Sequence, residues 1–405
     1  MSHYSIEFDI PLYCCQFLDS DRIALGGGGG TSKSGITNKL FIIKINSSKN
    51  QSFEKLEDFH LPKGQDAPMS LDFDKKANQL ICGINSPKSD RNEHLRTYSI
   101  DKKSKLKPSS ARQIFIDTSE EDYQKLTRLS DSAPKFLAIG GTNNQLDILT
   151  YPNFKHVFSA LRCDAKDKEC QLMATDFHQN GSQFLLGSTH FVQLYSTKTK
   201  SSKPGSKRSP AALIRQFDPP QPSPNQSCTF RNARYGRGKN SQTLYTIVNY
   251  LPLSRMGPRQ KPRWGVSDRK AVLISWNIEN GSAIRTKAVS NKPVTAFDVS
   301  PNGDLLAFAS SDLSVGILDA SSLRSLLSIL HAHEFPVTGI CFSPDNKRVV
   351  SCSADKTVRV IEIREDITTS WSSTTHLLFI AFLLLFLAIL FQLTRTDSFI
   401  SKKRI

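Results

Sequence analysis

Two stretches near the end of the chain decide its fold: PVTAFDVSPNGDLLAFASSDLSVGILD at 293–319 and PVTGICFSPDNKRVVSCSADKTVRVIE at 336–362. They align without a gap at an offset of 43 residues, so that Pro301 meets Pro344, Asp312 meets Asp355 and Val315 meets Val358. Within each copy apolar residues alternate with period two, and the turns are Pro-Asn-Gly or Pro-Asp-Asn, the chemistry that hairpins require. Fainter copies lie upstream. LAIGGTNNQLDIL (137–149) matches LAFASSDLSVGIL (306–318) at an offset of 169 residues, close to four periods. MSLDFDKKANQLICGI (69–84) and MATDFHQNGSQFLLGSTHFVQLY (173–195) repeat the strand–turn–strand opening, and AVLISWNIENG (271–281) repeats the closing strands. A period of this length is one four-stranded sheet that cannot bury both faces alone, and radial stacking of such sheets into a closed ring solves that problem.

The pattern is that of WD40 repeats, and the expected fold is all-β: a seven-bladed WD40-type propeller over residues 1–363. Openings place the blades near 10–46, 65–100, 111–152, 170–197, 225–280, 290–320 and 333–363, with HYSIEFDI (3–10) supplying the strand that completes the last blade. His333, Ser353 and Asp355 sit where a WD repeat keeps a buried hydrogen-bond network, so they read as structural rather than catalytic. The usual Trp-Asp ending is replaced by Ile361-Glu362.

Charge is distributed unevenly. The whole chain of 405 residues carries a net charge of +16. Residues 198–270 hold sixteen basic side chains against Asp218 and Asp268 only, and the remainder is close to neutral. Pro, Gly and Ser recur in this segment, so KTKSSKPGSKRSP (198–210), RNARYGRGK (231–239) and SRMGPRQKPRWGVSDRK (254–270) read as loops around a strand at 242–253. Such an insertion reads either as a solvated, variable surface or as an attraction to an anionic one, whether lipid headgroups, an acidic partner or nucleic acid. Without a zinc finger, an aromatic RNP pattern or a basic helix, nucleic acid is not an expected partner. The eight cysteines form no C-x-x-C pair, and the first thirty residues lack a signal peptide, so the bulk of the chain is expected in the cytosol with free thiols.

Residues 377–393, LLFIAFLLLFLAILFQL, contain Gln392 as the one polar member. As a helix they span roughly 25 Å, close to the ~27 Å hydrocarbon of an endoplasmic-reticulum bilayer. A C-terminal transmembrane helix is therefore expected, joined by a stem at 364–376 and followed by a short tail at 394–405. The basic tail favours a cytosolic position by the positive-inside rule, and Lys402-Lys403 has the spacing of a cytosolic di-lysine retrieval signal. The missing signal peptide outweighs this, and the expected topology is single-pass with a cytosolic propeller and a lumenal tail.

The remaining motif is ALGGGGGTSKSGITNKLFIIKI (24–45). A phosphate-binding loop is excluded, because Ser32 stands where its second glycine belongs and no helix follows. Five glycines cost entropy to order, and carbonyls curled around a hard cation would offset that cost. A propeller with this glycine run, Gly35-Ile36-Thr37-Asn38-Lys39 and one membrane span resembles the endoplasmic-reticulum guanine-nucleotide exchange factors of the COPII-coat small GTPase, whose animal member is the prolactin regulatory element-binding protein. The resemblance implies that the chain is not an enzyme of covalent chemistry but a regulator. It would load GTP on the GDP-bound GTPase at the endoplasmic-reticulum membrane and start ER-to-Golgi budding, with some presence at the Golgi. It implies that Asn38 and Ile36 contact the GTPase. It also implies a potassium ion that orders the loop, for which the backbone of Gly26, Gly27, Gly28, Gly29 and Gly30 is the candidate site. Thr37 replaces the family's proline. No small-molecule substrate is expected. Plant relatives supply the alternative: a non-catalytic, membrane-tethered adaptor for exit of specific cargo.

Overall fold

The structure is a computed structural model that describes residues 2–364 apart from 33, 47–51, 87–90, 116–118, 120–121, 165, 200–207, 221–225 and 253–269, together with residues 381–388. Met1–Ile363 forms one compact unit and Arg364–Ile405 a second.

The first unit is a ring of seven four-stranded antiparallel sheets. Strand β1 (His3–Glu7) pairs with the strand Thr357–Glu362 and completes the last blade, as its sequence predicts. The first blade then runs outward through β2 (Leu12–Phe17), β3 (Arg22–Gly27), β4 (Lys39–Ile45) and β5 (Phe53–His60). Five further blades follow in the same order, opening at Ser70, Gln124, Leu172, Gln226 and Val294, and the seventh opens at Val337. The first six blades reach further than their repeats suggest: the first ends at His60 and the fourth at Phe217. The extension is the outermost strand. Phe53–His60 and Ala283–Ser290 contain no buried residue, so they lack the apolar alternation by which strands are read.

The core lies between neighbouring blades. One cluster joins Tyr4, Ile6, Leu12, Phe41 and Ile43 to Val350, Val358 and Val360, sealing the first blade to the last. Another joins Ala24, Leu40 and Ile42 to Leu80, Tyr98 and Ile100 of the second. Buried carboxylates add polar staples across blades. Asp72 accepts a hydrogen bond from Leu129 N at 2.6 Å, Asp176 from Tyr235 N at 2.9 Å, and Asp298 from Phe342 N at 3.3 Å.

Six of the seven innermost strands share an irregularity. The ladder steps over Tyr13, Lys125, Met173, Arg231, Thr295 and Thr338, one residue in each of six blades. Such bulges redirect a side chain, and these six, with Met69 of the remaining blade, line the central channel. The innermost strand of the fifth blade, Gln226–Tyr235, corrects the reading of RNARYGRGK as a surface loop. Arg237 is buried and paired with Asp176, and Arg231 and Arg234 line the channel. Of the basic insertion, residues 200–207 and 253–269 lie outside the described residues.

In the second unit, residues 381–388 are helical, and Phe382, Leu384 and Phe386 are all more than half exposed. No helix among the described residues is long and apolar enough to cross a membrane. The rest of 377–393, nearly all of the stem and the tail lie outside the described residues.

Candidate functional site

Strand β3 continues through Gly27, two residues into the glycine run, and the loop proper occupies 28–38. The five glycines therefore serve two purposes. At Gly26 an added Cβ would meet Pro68 at 2.7 Å and Cys14 Sγ at 2.8 Å, and at Gly27 it would overlap the carbonyl of Pro11. Those two are buried strand residues chosen for space. Gly28 and Gly30 have φ of 144° and 66°, backbone that L side chains avoid, and they turn the chain out of the blade and back.

One side chain closes this loop. Asn38 Oδ1 accepts a hydrogen bond from Gly30 N at 2.9 Å, and Asn38 Nδ2 donates to Gly30 O at 3.1 Å and to Gln65 O at 2.9 Å. Both ends of its amide are thus engaged within the propeller. Ser32 Oγ donates to the Gly29 carbonyl and lies 3.0 Å from Ser34 Oγ. Ile36 is half-buried and packs on the cluster between the first and last blades. Lys39 follows, buried, with its ammonium 2.7 Å from Asp9 and 3.5 Å from Asp58. That hydrogen bond holds the Asp9 carboxyl below its ordinary range.

The structure thus brings Asn38 and Ile36 into one loop but turns both inward, where they brace it. The exposed rim is Thr31, Ser32, Ser34, Gly35 and Thr37. Two participants are not apparent in the sequence. Gln65 and Asp66 lie on the connector between the first two blades, 27 and 28 residues after Asn38, and no motif marks them. An added Cβ on Gly30 would stand 3.2 Å from Asp66 Oδ1, and desolvation pushes the Asp66 carboxyl above its usual value. Gln65 Oε1 is buried without a hydrogen-bond partner among the described residues. A desolvated carboxylate and an orphaned amide oxygen beside a carbonyl-rich loop are the donor chemistry that a hard monovalent cation takes. Gly26 and Gly27 fit that role less well, because both belong to the strand ladders.

The buried network of the last blade differs in one member from its expected set. His333 Nε2 pairs with Ser351 Oγ at 2.8 Å, and its Nδ1 faces Thr357 Oγ1 at 2.8 Å and Asp355 Oδ2 at 3.2 Å. Ser353 instead donates to the carbonyl of Phe335. Alternation explains the exchange, because Ser351 and Ser353 lie on the same strand face but only Ser351 sits opposite the ring. All members have structural partners.

The WD domain, G-beta repeat family profile matches residues 324–362. The chain is 28% identical over 393 residues to the guanine nucleotide-exchange factor SEC12 of Candida glabrata, covering 93% of this chain and 76% of that protein. It is 23% identical over 376 residues to SED4 of Saccharomyces cerevisiae, covering 90% of this chain but 31% of the longer relative. A chain in the crystal structure of a mitotic checkpoint complex superposes with a TM-score of 0.59 at 13% identity, over 89% of this chain and 91% of that one, and bears on the fold alone. The resemblance to WD-repeat exchange factors read from the glycine loop thus extends over nearly the whole chain.

Proposed function

We propose that this propeller is a guanine-nucleotide exchange factor of the SEC12 type, a GTPase regulator that makes and breaks no covalent bond. The observation that carries the reading is the 28–38 loop, turned out of the blade at Gly28 and Gly30 and pinned by Asn38, in a chain similar to SEC12 over 93% of its length. An exchange factor acts by binding the nucleotide-free GTPase more tightly than the GDP-bound form, since a ligand shifts an equilibrium only by its differential affinity. A rigid loop suits that task, because ordering entropy is already spent before the partner arrives. The exposed rim from Thr31 to Thr37 meets the GTPase; Asn38 and Ile36 hold the rim in shape from beneath.

The partner is the COPII small GTPase in its GDP form, met at the endoplasmic-reticulum membrane through 377–393. The exposed apolar helix at 381–388 supports that anchor, since lipid is the solvent such a helix favours. Lipid contact through the basic insertion narrows to 198–210 and 254–270, because Arg231, Arg234 and Arg237 are committed to the propeller interior. Gln65, Asp66 and carbonyls of the loop beyond Gly27 would hold a potassium ion, whose positive charge would stiffen the loop.

The test is release of a fluorescent GDP analogue from the purified COPII GTPase by the full-length chain in liposomes. Acceleration of at least tenfold is expected, lost in Asn38→Ala and weakened when sodium replaces potassium. No acceleration by a folded chain in either salt would overturn the reading in favour of a cargo adaptor.

A further inference from the structure

Two cations face the central channel without partners among the described residues. Lys125 and Arg231 are the redirected bulge residues of the third and fifth blades, and both line a cavity of about 480 Å³. Neither makes a hydrogen bond or ion pair with any described residue, although both are only partly open to solvent. Burial and the nearby Arg231 charge lower the Lys125 pKa, and burial lowers that of Arg231. The other five members of the ring are a tyrosine, two methionines and two threonines, so the ring offers donors and apolar walls but no carboxylate. Asp66, on the connector after the first blade, acts on Tyr13 of that blade.

The next level of the channel is built differently. Three residues further along the same strands stand Asp72, Arg128, Asp176, Arg234 and Asp298, in alternating sign around five consecutive blades. Arg128 Nε meets Asp176 Oδ1 at 2.9 Å, and Arg234 Nε lies 3.6 Å from Asp298 Oδ1. With Arg237, which pairs with Asp176 at 2.9 Å, three guanidinium groups balance the three carboxylates there. The level above is not balanced, although like charges in a desolvated site repel and an opposite charge relieves them.

We propose that the mouth of the central channel is a binding site for a small phosphate-bearing anion, held between Lys125 and Arg231. The guanidinium offers a planar fork of donors and the ammonium a compact charge, a pair that matches the tetrahedral oxygens of phosphate. The recessed position and limited volume suit a free anion, not a headgroup in a bilayer. The mouth lies at the end of the ring where β2 begins, the end from which the 28–38 loop also emerges, since Leu12 pairs with Gly27 and Gly28 N donates to Pro11 O at 2.9 Å. The site is independent of the exchange reading and needs no GTPase for its test.

Thermal unfolding and calorimetry of the full-length chain in detergent, with inorganic pyrophosphate as probe, test the proposal. Pyrophosphate should raise Tm by about 2–4 °C relative to potassium chloride of equal ionic strength. Lys125→Met and Arg231→Met should each weaken binding at least tenfold. The double variant should lose the shift and, freed of its repulsion, melt no lower than the parent without ligand. Lys287→Met on an outermost strand should leave binding unchanged. Absence of a shift in the parent overturns the proposal. So does binding that survives in the double variant, or capture of the chain by phosphatidylinositol 4-phosphate vesicles while pyrophosphate does not bind.

Discussion

At the scale of single residues, His94 shows how burial sets a charge state. Its Nε2 accepts hydrogen bonds from Ile114 N and Phe115 N, its Nδ1 faces Gln124 Oε1 at 2.8 Å, and its ring stacks on Phe115. An imidazole that accepts two backbone donors must be neutral at that nitrogen, and burial lowers its pKa to about 4. The unfolded chain binds this proton near the ordinary value of ~6.5, so stability is present above that pH and falls as pH drops toward 4. The contribution at stake is about 3 kcal/mol. Tm measured between pH 7 and pH 4.5 should fall less steeply in His94→Gln than in the parent. Asn38 makes a comparable argument for the loop. Asn38→Ala should expose the Gly30 amide to hydrogen exchange at least tenfold faster, and Asn38→Asp should restore only part of the protection, because its carboxylate still accepts from Gly30 N but cannot donate to Gly30 O and Gln65 O. Gly28→Ala should act likewise, since φ of 144° excludes a Cβ and the added carbon would overlap Asn38.

At the scale of elements, β1 closes the ring. Its five residues alternate exposed and buried, and Tyr4 and Ile6 enter the seam between the first and last blades. Loss of residues 1–8 removes two buried side chains of about 1.5–3 kcal/mol each and bares the edge of Thr357–Glu362. The truncated chain is expected to melt at least 5 °C lower and to aggregate, read by differential scanning fluorimetry and light scattering. The helix at 381–388 carries the other element-scale expectation. The full chain should stay with the membrane fraction after carbonate extraction, and a chain ending at Arg364 should not. Inner and middle strands were legible in the sequence because both faces are buried and the Pro-Asn-Gly turns punctuate them. The outermost strands were not, because solvent on their faces removes any need for apolar alternation.

Across the whole molecule, blades are held together through their seams. Asp72, Asp176 and Asp298 each reach from one blade to a backbone N–H further round the ring. Asp176 also lies 2.9 Å from both Arg128 and Arg237, and those cations hold its carboxyl far below the usual range against its desolvation. Asp176→Ala would leave the buried Arg237 and the half-buried Arg128 without this anion, and such losses cost about 3–5 kcal/mol. Asp176→Ala should therefore shift the urea midpoint well below the parent's, whereas Asp167→Ala at the exposed surface should not.

The sequence by itself determined the ring of seven four-stranded blades, the closing role of residues 3–10 and the place of the glycine loop. Each of these rests on local periodicity or turn chemistry, which short segments carry in full. Only the tertiary structure decided what the charged and polar residues do. Arg231, Arg234 and Arg237 looked like a solvated loop because charge and glycine dominate that stretch, yet bulge and blade register turn Arg231 and Arg234 into the channel and bury Arg237 against Asp176. Gln65 and Asp66 joined the loop, and Lys125 came to share a cavity with Arg231, by closure of the ring. Partners so far apart along the chain are set by the geometry of blade against blade, which leaves no spacing in the sequence to read.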